Sequence, residues 1–159
     1  MDDTIVREQL ETLVSGEGAH VPLEQALADL PDALRGQRPA GLEHSLWELL
    51  EHLRIAQEDL LRYALEPGWS SPSWPDGYWP ATPEPPSDDA WQASLAAVLR
   101  TRDEARALAR DQARDLTAPL AHARHHSLLR QLLLLADHNA YHVGQMVDVR
   151  RVLGAWPPR

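Results

Sequence analysis

The stretch from Ser127 to Leu153, SLLRQLLLLADHNAYHVGQMVDVRRVL, repeats apolar residues at helical spacing, with Ser127 at the N-cap position and Gly154 and Pro157 behind it as stops. It reads as one long helix. Working outward, three more stretches carry the same period. One covers about His44 to Leu65, with Leu42, Leu46, Leu49, Leu53 and Leu60 on one face before Pro67 and Gly68. Another runs from about Asp88 to Arg114, with Ser87 and Asp88 as N-cap candidates and Trp91, Leu95, Val98, Leu99 and Leu108 on its apolar side. The first runs from about Asp3 to Ser15, stops at Gly16 and Gly18, and is followed by a shorter helical piece from about Pro22 to Leu34, closed by Gly36. No sustained alternating run rich in β-branched residues occurs, so the class is all-α and four helices of this length imply a four-helix bundle.

The length of 159 residues predicts a single domain over 1–159, and 43% hydrophobic residues supply its core. The longest apolar run, Leu132 to Ala136, is far below the roughly 20 residues that span a bilayer, and the acidic start does not resemble a leader; a soluble, cytoplasmic protein without membrane contact is expected. The net charge of −9 repels phosphate backbones and no basic stripe opposes it, which argues against a nucleic-acid partner. All 15 basic residues are Arg, which removes Schiff-base and P-loop lysines. Cysteine is absent as well, so there is no disulfide and no thiolate nucleophile, and any metal must rest on His and carboxylate.

Between the second and third long helices, Glu66 to Asp89 holds seven prolines, two glycines and the aromatics Trp69, Trp74, Tyr78 and Trp79 in 24 residues. Such a segment is not helical, and three tryptophans need something to pack on, so it reads as an ordered flap. It serves either as a crossover strap, over a bundle end or a dimer seam, or as a pocket wall.

The sharpest chemical feature is His138-Asn139-Ala140-Tyr141-His142 in the last helix. Two His four apart share one helical face with Cβ atoms roughly 5 to 6 Å apart, so both imidazoles can address one ion. Leu134, Leu135, Gln145 and Val149 flank them and turn the pair inward, where unpartnered rings cost on the order of 1 to 3 kcal/mol each. Asn139 replaces the Glu base of the helical zinc-protease motif. His52 on the second long helix is the best third ligand, with Glu48 one turn earlier as an outer ligand or an orienting partner; the competing reading is a half-exposed His in an acidic helix. His44 falls at the helix entrance. His122, His125 and His126, in the connector before the last helix, read as a solvated loop, with a second histidine cluster as the competing reading, and Asp137 as a surface or hydrogen-bonding residue.

Leu46-Trp47-Glu48-Leu49-Leu50-Glu51-His52-Leu53, Ala136 through Gln145 and Arg150 through Gly154 resemble the DinB/YfiT superfamily of metal-dependent bacterial proteins, and Trp74 through Pro80 resembles a subgroup of it. The resemblance spans nearly the whole chain. It implies an up-down-down-up four-helix bundle, usually a homodimer, whose three histidines bind one divalent metal; here they fall on His52, His138 and His142. Despite its label, this family is not the DNA polymerase of similar name.

Members resemble thiol-dependent transferases and isomerases that use bacillithiol or mycothiol, and related domains occur in ergothioneine-pathway enzymes. The expected function is therefore a metal-dependent enzyme of thiol S-transferase or hydrolase type, with a small-molecule substrate and a low-molecular-weight thiol cosubstrate. Gln145 and Glu48 would be polar groups near the site. The alternative is a non-catalytic dimeric metal-binding module. An all-imidazole donor set suits zinc or nickel first, and iron or copper as well.

Overall fold

A computed structural model describes residues 3–158 of the chain. Its elements are α1 (Asp3–Ser15), α2 (Leu23–Leu27), a 3-10 turn at Asp32–Leu34, α3 (Leu46–Leu65), a second 3-10 turn at Asp76–Tyr78, α4 (Asp88–Arg110), β1 (Pro119–Leu120), β2 (Ala123–Ser127) and α5 (Leu128–Val152). The three longest helices each begin on a serine: the side chains of Ser45, Ser87 and Ser127 accept from the backbone N–H of Glu48, Ala90 and Arg130.

The elements differ from the sequence expectation in four places. The piece expected over Pro22 to Leu34 stops at Leu27, because Pro31 has no N–H to give and its ring obstructs the preceding turn; only a 3-10 turn follows it. Helix α3 starts at Leu46, so His44 and Leu42 lie outside it. Helix α4 ends at Arg110 instead of Arg114, where the buried Arg7 guanidinium gathers the carbonyls of Ala109 (3.3 Å), Asp111 (2.9 Å) and Arg114 (2.7 Å). The connector before α5 contains a short antiparallel pair, β1 with β2.

Inter-helix bonds fix the directions. Ser94 to Glu51, Thr101 to Glu58 and Arg62 to Glu104 advance together along both chains, so α3 and α4 are parallel neighbours. Arg106 to Glu11 and Arg7 to Ala109 run oppositely, making α1 antiparallel to α4. His52, early in α3, meets His142, late in α5, while Tyr63 near the end of α3 meets His126 just before α5 begins, so α5 is antiparallel to α3. The order is up-down-down-up.

One apolar cluster joins Leu46, Leu49, Leu50 and Leu53 to Val143 and Met146, and the other joins Leu61, Ala105, Leu132 and Leu135 at the opposite end. Each fully buried Leu, Val or Met among them contributes about 1.5–3 kcal/mol. Among the described residues no helix is long and apolar enough to cross a membrane.

Parallel α3 and α4 force the chain to travel back along a helix of 20 residues, about 30 Å, before α4 can begin. Residues Glu66 to Ser87 make that return. Asp59, buried on α3, accepts from Trp69 Nε1 (2.8 Å) and from the Tyr78 hydroxyl (2.7 Å). Further on, the Ser45 hydroxyl donates to the Pro83 carbonyl, and a Cβ at Gly36 would overlap the Cβ of Glu84, so glycine is what lets the strap close there.

Replacing Asp59 by Ala removes both anchors and leaves two donors short of an acceptor. Urea titration should show a loss of about 1–3 kcal/mol, with red-shifted tryptophan emission already visible before the main transition. Asp59→Asn, which keeps one acceptor oxygen, should fall between. A wild-type transition in Asp59→Ala would mean the strap is held elsewhere.

Candidate metal centre

Helix α3 contributes His52 and helix α5 contributes His138 and His142, one turn apart on its inner face. The three Nε2 atoms converge: His52 to His138 is 3.0 Å, His52 to His142 3.1 Å and His142 to His138 3.1 Å. Among the described residues this is the one group of three or more His or carboxylate side chains close enough to share an ion.

The opposite ring nitrogens explain why Nε2 faces inward. His52 Nδ1–H donates to the Tyr78 carbonyl (2.8 Å), and His142 Nδ1–H donates to Gln145 Oε1 (2.7 Å). A neutral imidazole carries one proton, so both rings turn an Nε2 lone pair to the centre. Among the described residues His138 Nδ1 is buried without a partner, so His138 is the ring free to carry a shared proton on Nε2 when no ion is present.

Trp79 lies flat on His52, with centroids 4.0 Å apart and planes 5° from parallel, and His44 stacks on Trp79 at 4.0 Å and 14°. Burial, and after it the neighbouring imidazoles, lowers His138 to a pKa of about 3 and His142 to about 4. Burial also lowers His52. All three rings are neutral at physiological pH.

Imidazole nitrogens bound to one zinc-like ion at about 2.0–2.1 Å lie about 3.0–3.4 Å apart. The observed triangle fits that spacing. Its chemistry fits too, since convergent lone pairs repel one another unless a cation or a proton stands between them. One side of the triangle opens on a cleft of about 800 Å³, within the range of small-molecule sites, with Leu42, Leu49, Trp74, Trp79, Tyr141 and Val149 among its walls.

The structure therefore brings His52, His138 and His142 together and adds Gln145. It does not bring Glu48. That carboxylate closes the capping box with the Ser45 N–H (2.9 Å) and pairs with Arg38. Burial pulls its pKa up, but Arg38 and Ser45 outweigh it and leave it lowered. Glu48 is neither an outer ligand nor a partner of His52; the Tyr78 carbonyl has that place.

His44 stands at the entrance of α3, as expected, and also borders the cleft. His122, His125 and His126 lie on the β1–β2 hairpin at the far end, where Tyr63 meets His126 Nδ1 at 2.9 Å. Asp137 is exposed. Sequence reasoning missed the Tyr78 carbonyl, the double stack on Trp79 and the position of Tyr141. A backbone oxygen leaves no sequence signal, and Trp79 was visible only as one aromatic in the flap.

These features define a helical bundle with an inward three-histidine pocket under a proline-rich strap. The sequence profile of the DinB superfamily matches residues 18–146, and the chain belongs to that superfamily. Comparison with curated proteins and with solved structures returned no match.

The lowered imidazoles make the metal-free fold pH-dependent. An unfolded His takes up a proton near 6.5, while folded His138 and His142 resist until about 3 and 4. The unfolded state therefore binds more protons in that window; this stability is complete above about 6.5 and drains away as pH falls toward 4. Metal-free wild type should lose Tm between pH 7 and pH 4 more steeply than the His138→Asn/His142→Asn variant, as read by differential scanning calorimetry. Equal slopes would show that the rings are solvated.

Proposed function

We propose that this protein is a metal-dependent enzyme of thiol S-transferase or hydrolase type, in which His52, His138 and His142 hold one divalent ion. The observation that carries this reading is the placement of three inward Nε2 atoms, 3.0–3.1 Å apart, at the floor of an open cleft. Three imidazoles leave coordination positions free, the pattern of catalytic rather than structural sites. When bound, such an ion lowers the pKa of a water to roughly 7 or holds a thiolate as nucleophile.

The chain's own residues orient and shield. The Tyr78 carbonyl and Gln145 hold two rings in the ligating tautomer, Trp79 covers His52, and the cleft walls confine the substrate. Among the described residues no Ser lines the cleft, and the chain has no Lys or Cys, so no serine, lysine or thiol nucleophile competes. Zinc or nickel suits the donor set best, with iron and copper also compatible. A low-molecular-weight thiol cosubstrate belongs to a reducing compartment, which favours the cytoplasm. Exposed Ile5, Val6 and Leu13 on α1 with Leu133 on α5 support a homodimer in which a second copy covers them.

Calorimetric titration should give one zinc or nickel per chain, and His52→Ala, His138→Ala and His142→Ala should each abolish binding while His122→Ala leaves it intact. Adding bacillithiol or mycothiol to cobalt-substituted protein should raise a sulfur-to-metal charge-transfer band, and a haloalkane should then be consumed faster than by His142→Ala. Ester hydrolysis without that band, rising through a pKa near 7, would select the hydrolase branch. Firm metal binding with neither activity would leave a non-catalytic module, and wild type that refuses the metal would remove the reading altogether.

A further inference from the structure

The cleft above the histidines is electrically lopsided. Its floor is three neutral imidazoles, whereas its rim carries Glu43, from the loop before α3, and Asp148, from α5. Among the described residues no arginine lines it. Glu43 has no ion-pair partner among the described residues. Asp148 meets Arg151 at 3.0 Å, but both side chains are exposed and such a pair is worth little.

Beside these carboxylates stand two aromatic faces that the fold leaves uncovered. Trp74 is 79% exposed and Tyr141 63%, and Trp74 touches another ring only edge-on, Tyr78 at 5.6 Å. Aromatic faces and carboxylates around one opening attract an organic cation through the ring quadrupoles and through charge. An anion approaching the same opening meets two carboxylates on a molecule of net charge −9.

We propose that this cleft takes a small organic ammonium, held at the rim by Glu43 and Asp148 and by the faces of Trp74 and Tyr141. The other end of the molecule then lies toward the histidine floor. For a thiol enzyme this names an amine-bearing thiol or acceptor as the substrate class. That assignment rests on the metal reading above; the rim contacts do not.

The test uses the full chain, metal-depleted and zinc-loaded, with benzylamine, benzyl alcohol and benzoate as matched cationic, neutral and anionic probes. Binding is followed by calorimetry and tryptophan fluorescence at low salt. In metal-depleted protein benzylamine should bind about 5- to 30-fold more tightly than benzoate, the sum expected of one exposed ion pair and one cation–π contact. The Glu43→Gln/Asp148→Asn variant should lose most of that preference, and added salt should narrow it. Trp74→Ala should weaken benzylamine, while Glu8→Gln on α1 should change nothing.

Equal affinities, a preference for benzoate, no binding of any probe, or a preference that survives the double variant would each overturn the proposal. Zinc titration is scored separately. Protein that refuses zinc yet prefers benzylamine loses the metal reading and keeps this one, and protein that binds zinc without the preference does the reverse.

Discussion

Helices α3 and α4 lie side by side and point the same way, and most of the site follows from that. Antiparallel neighbours can be joined by a few residues, but parallel ones need a return path as long as the helix itself. The chain fills the path with prolines, which fix φ and make no demand on backbone donors, and ties it to α3 through Asp59. The same return lays the Tyr78 carbonyl against His52 Nδ1 and the Trp79 ring flat on the His52 face. Strap and pocket wall, which look like competing roles in the sequence, are one structure.

Convergence of three ring nitrogens is a local conflict in the interior of the fold. In the apolar clusters leucine packs on leucine, and the buried guanidinium groups of Arg7 and Arg150 donate to carbonyl oxygens, with Arg7 Nε turned to Asp3. At the floor of the cleft, Tyr78 and Gln145 hold two rings so that their lone pairs oppose each other, and without an ion a single proton on His138 Nε2 has to serve both. Conflicts of this kind gather at functional sites, where the missing favourable term arrives with a ligand. The partnerless Nδ1 of His138 leaves one of the three tautomers adjustable.

The four long helices were legible because apolar periodicity and terminal Ser, Gly and Pro signals agree. The His138/His142 pair was legible because four-residue spacing is itself the geometry. His52 could be found from its face of α3. Glu48 could not be sorted from its face alone, since the same carboxylate is the third residue after Ser45 in a Ser-x-x-Glu capping box, and capping won. That signal is present in the sequence as Ser45-Leu46-Trp47-Glu48. Pro31 likewise stood inside the piece read as helix through Leu34. The β1–β2 hairpin was not legible: strands of two and five residues, the longer reading Ala-Arg-His-His-Ser, carry no apolar alternation. Nor was the double stack on Trp79, which depends on where a long return happens to pass.

The acidic cleft is the counterpart of where the arginines went. With no lysine in the chain, every cationic contact that fastens the bundle falls to Arg, whose planar fork can bridge two groups at once. Arg7 closes the end of α4, Arg150 joins α5 to the carbonyls of Ala26 and Ala155, and Arg35 reaches Asp88 at the start of α4. Arg62, Arg102 and Arg106 reach carboxylates on other elements along the seams. Cations tied up at the seams are not available to line the pocket, and among the described residues the rim carboxylates make no ion pair except that of Asp148 with Arg151. Neutral imidazole ligands add no negative charge of their own, so any ion they hold keeps its full charge at the floor. The field along the cleft would then run from a positive floor to a negative rim, and it is oriented by how the frame is fastened as much as by the residues that touch a ligand.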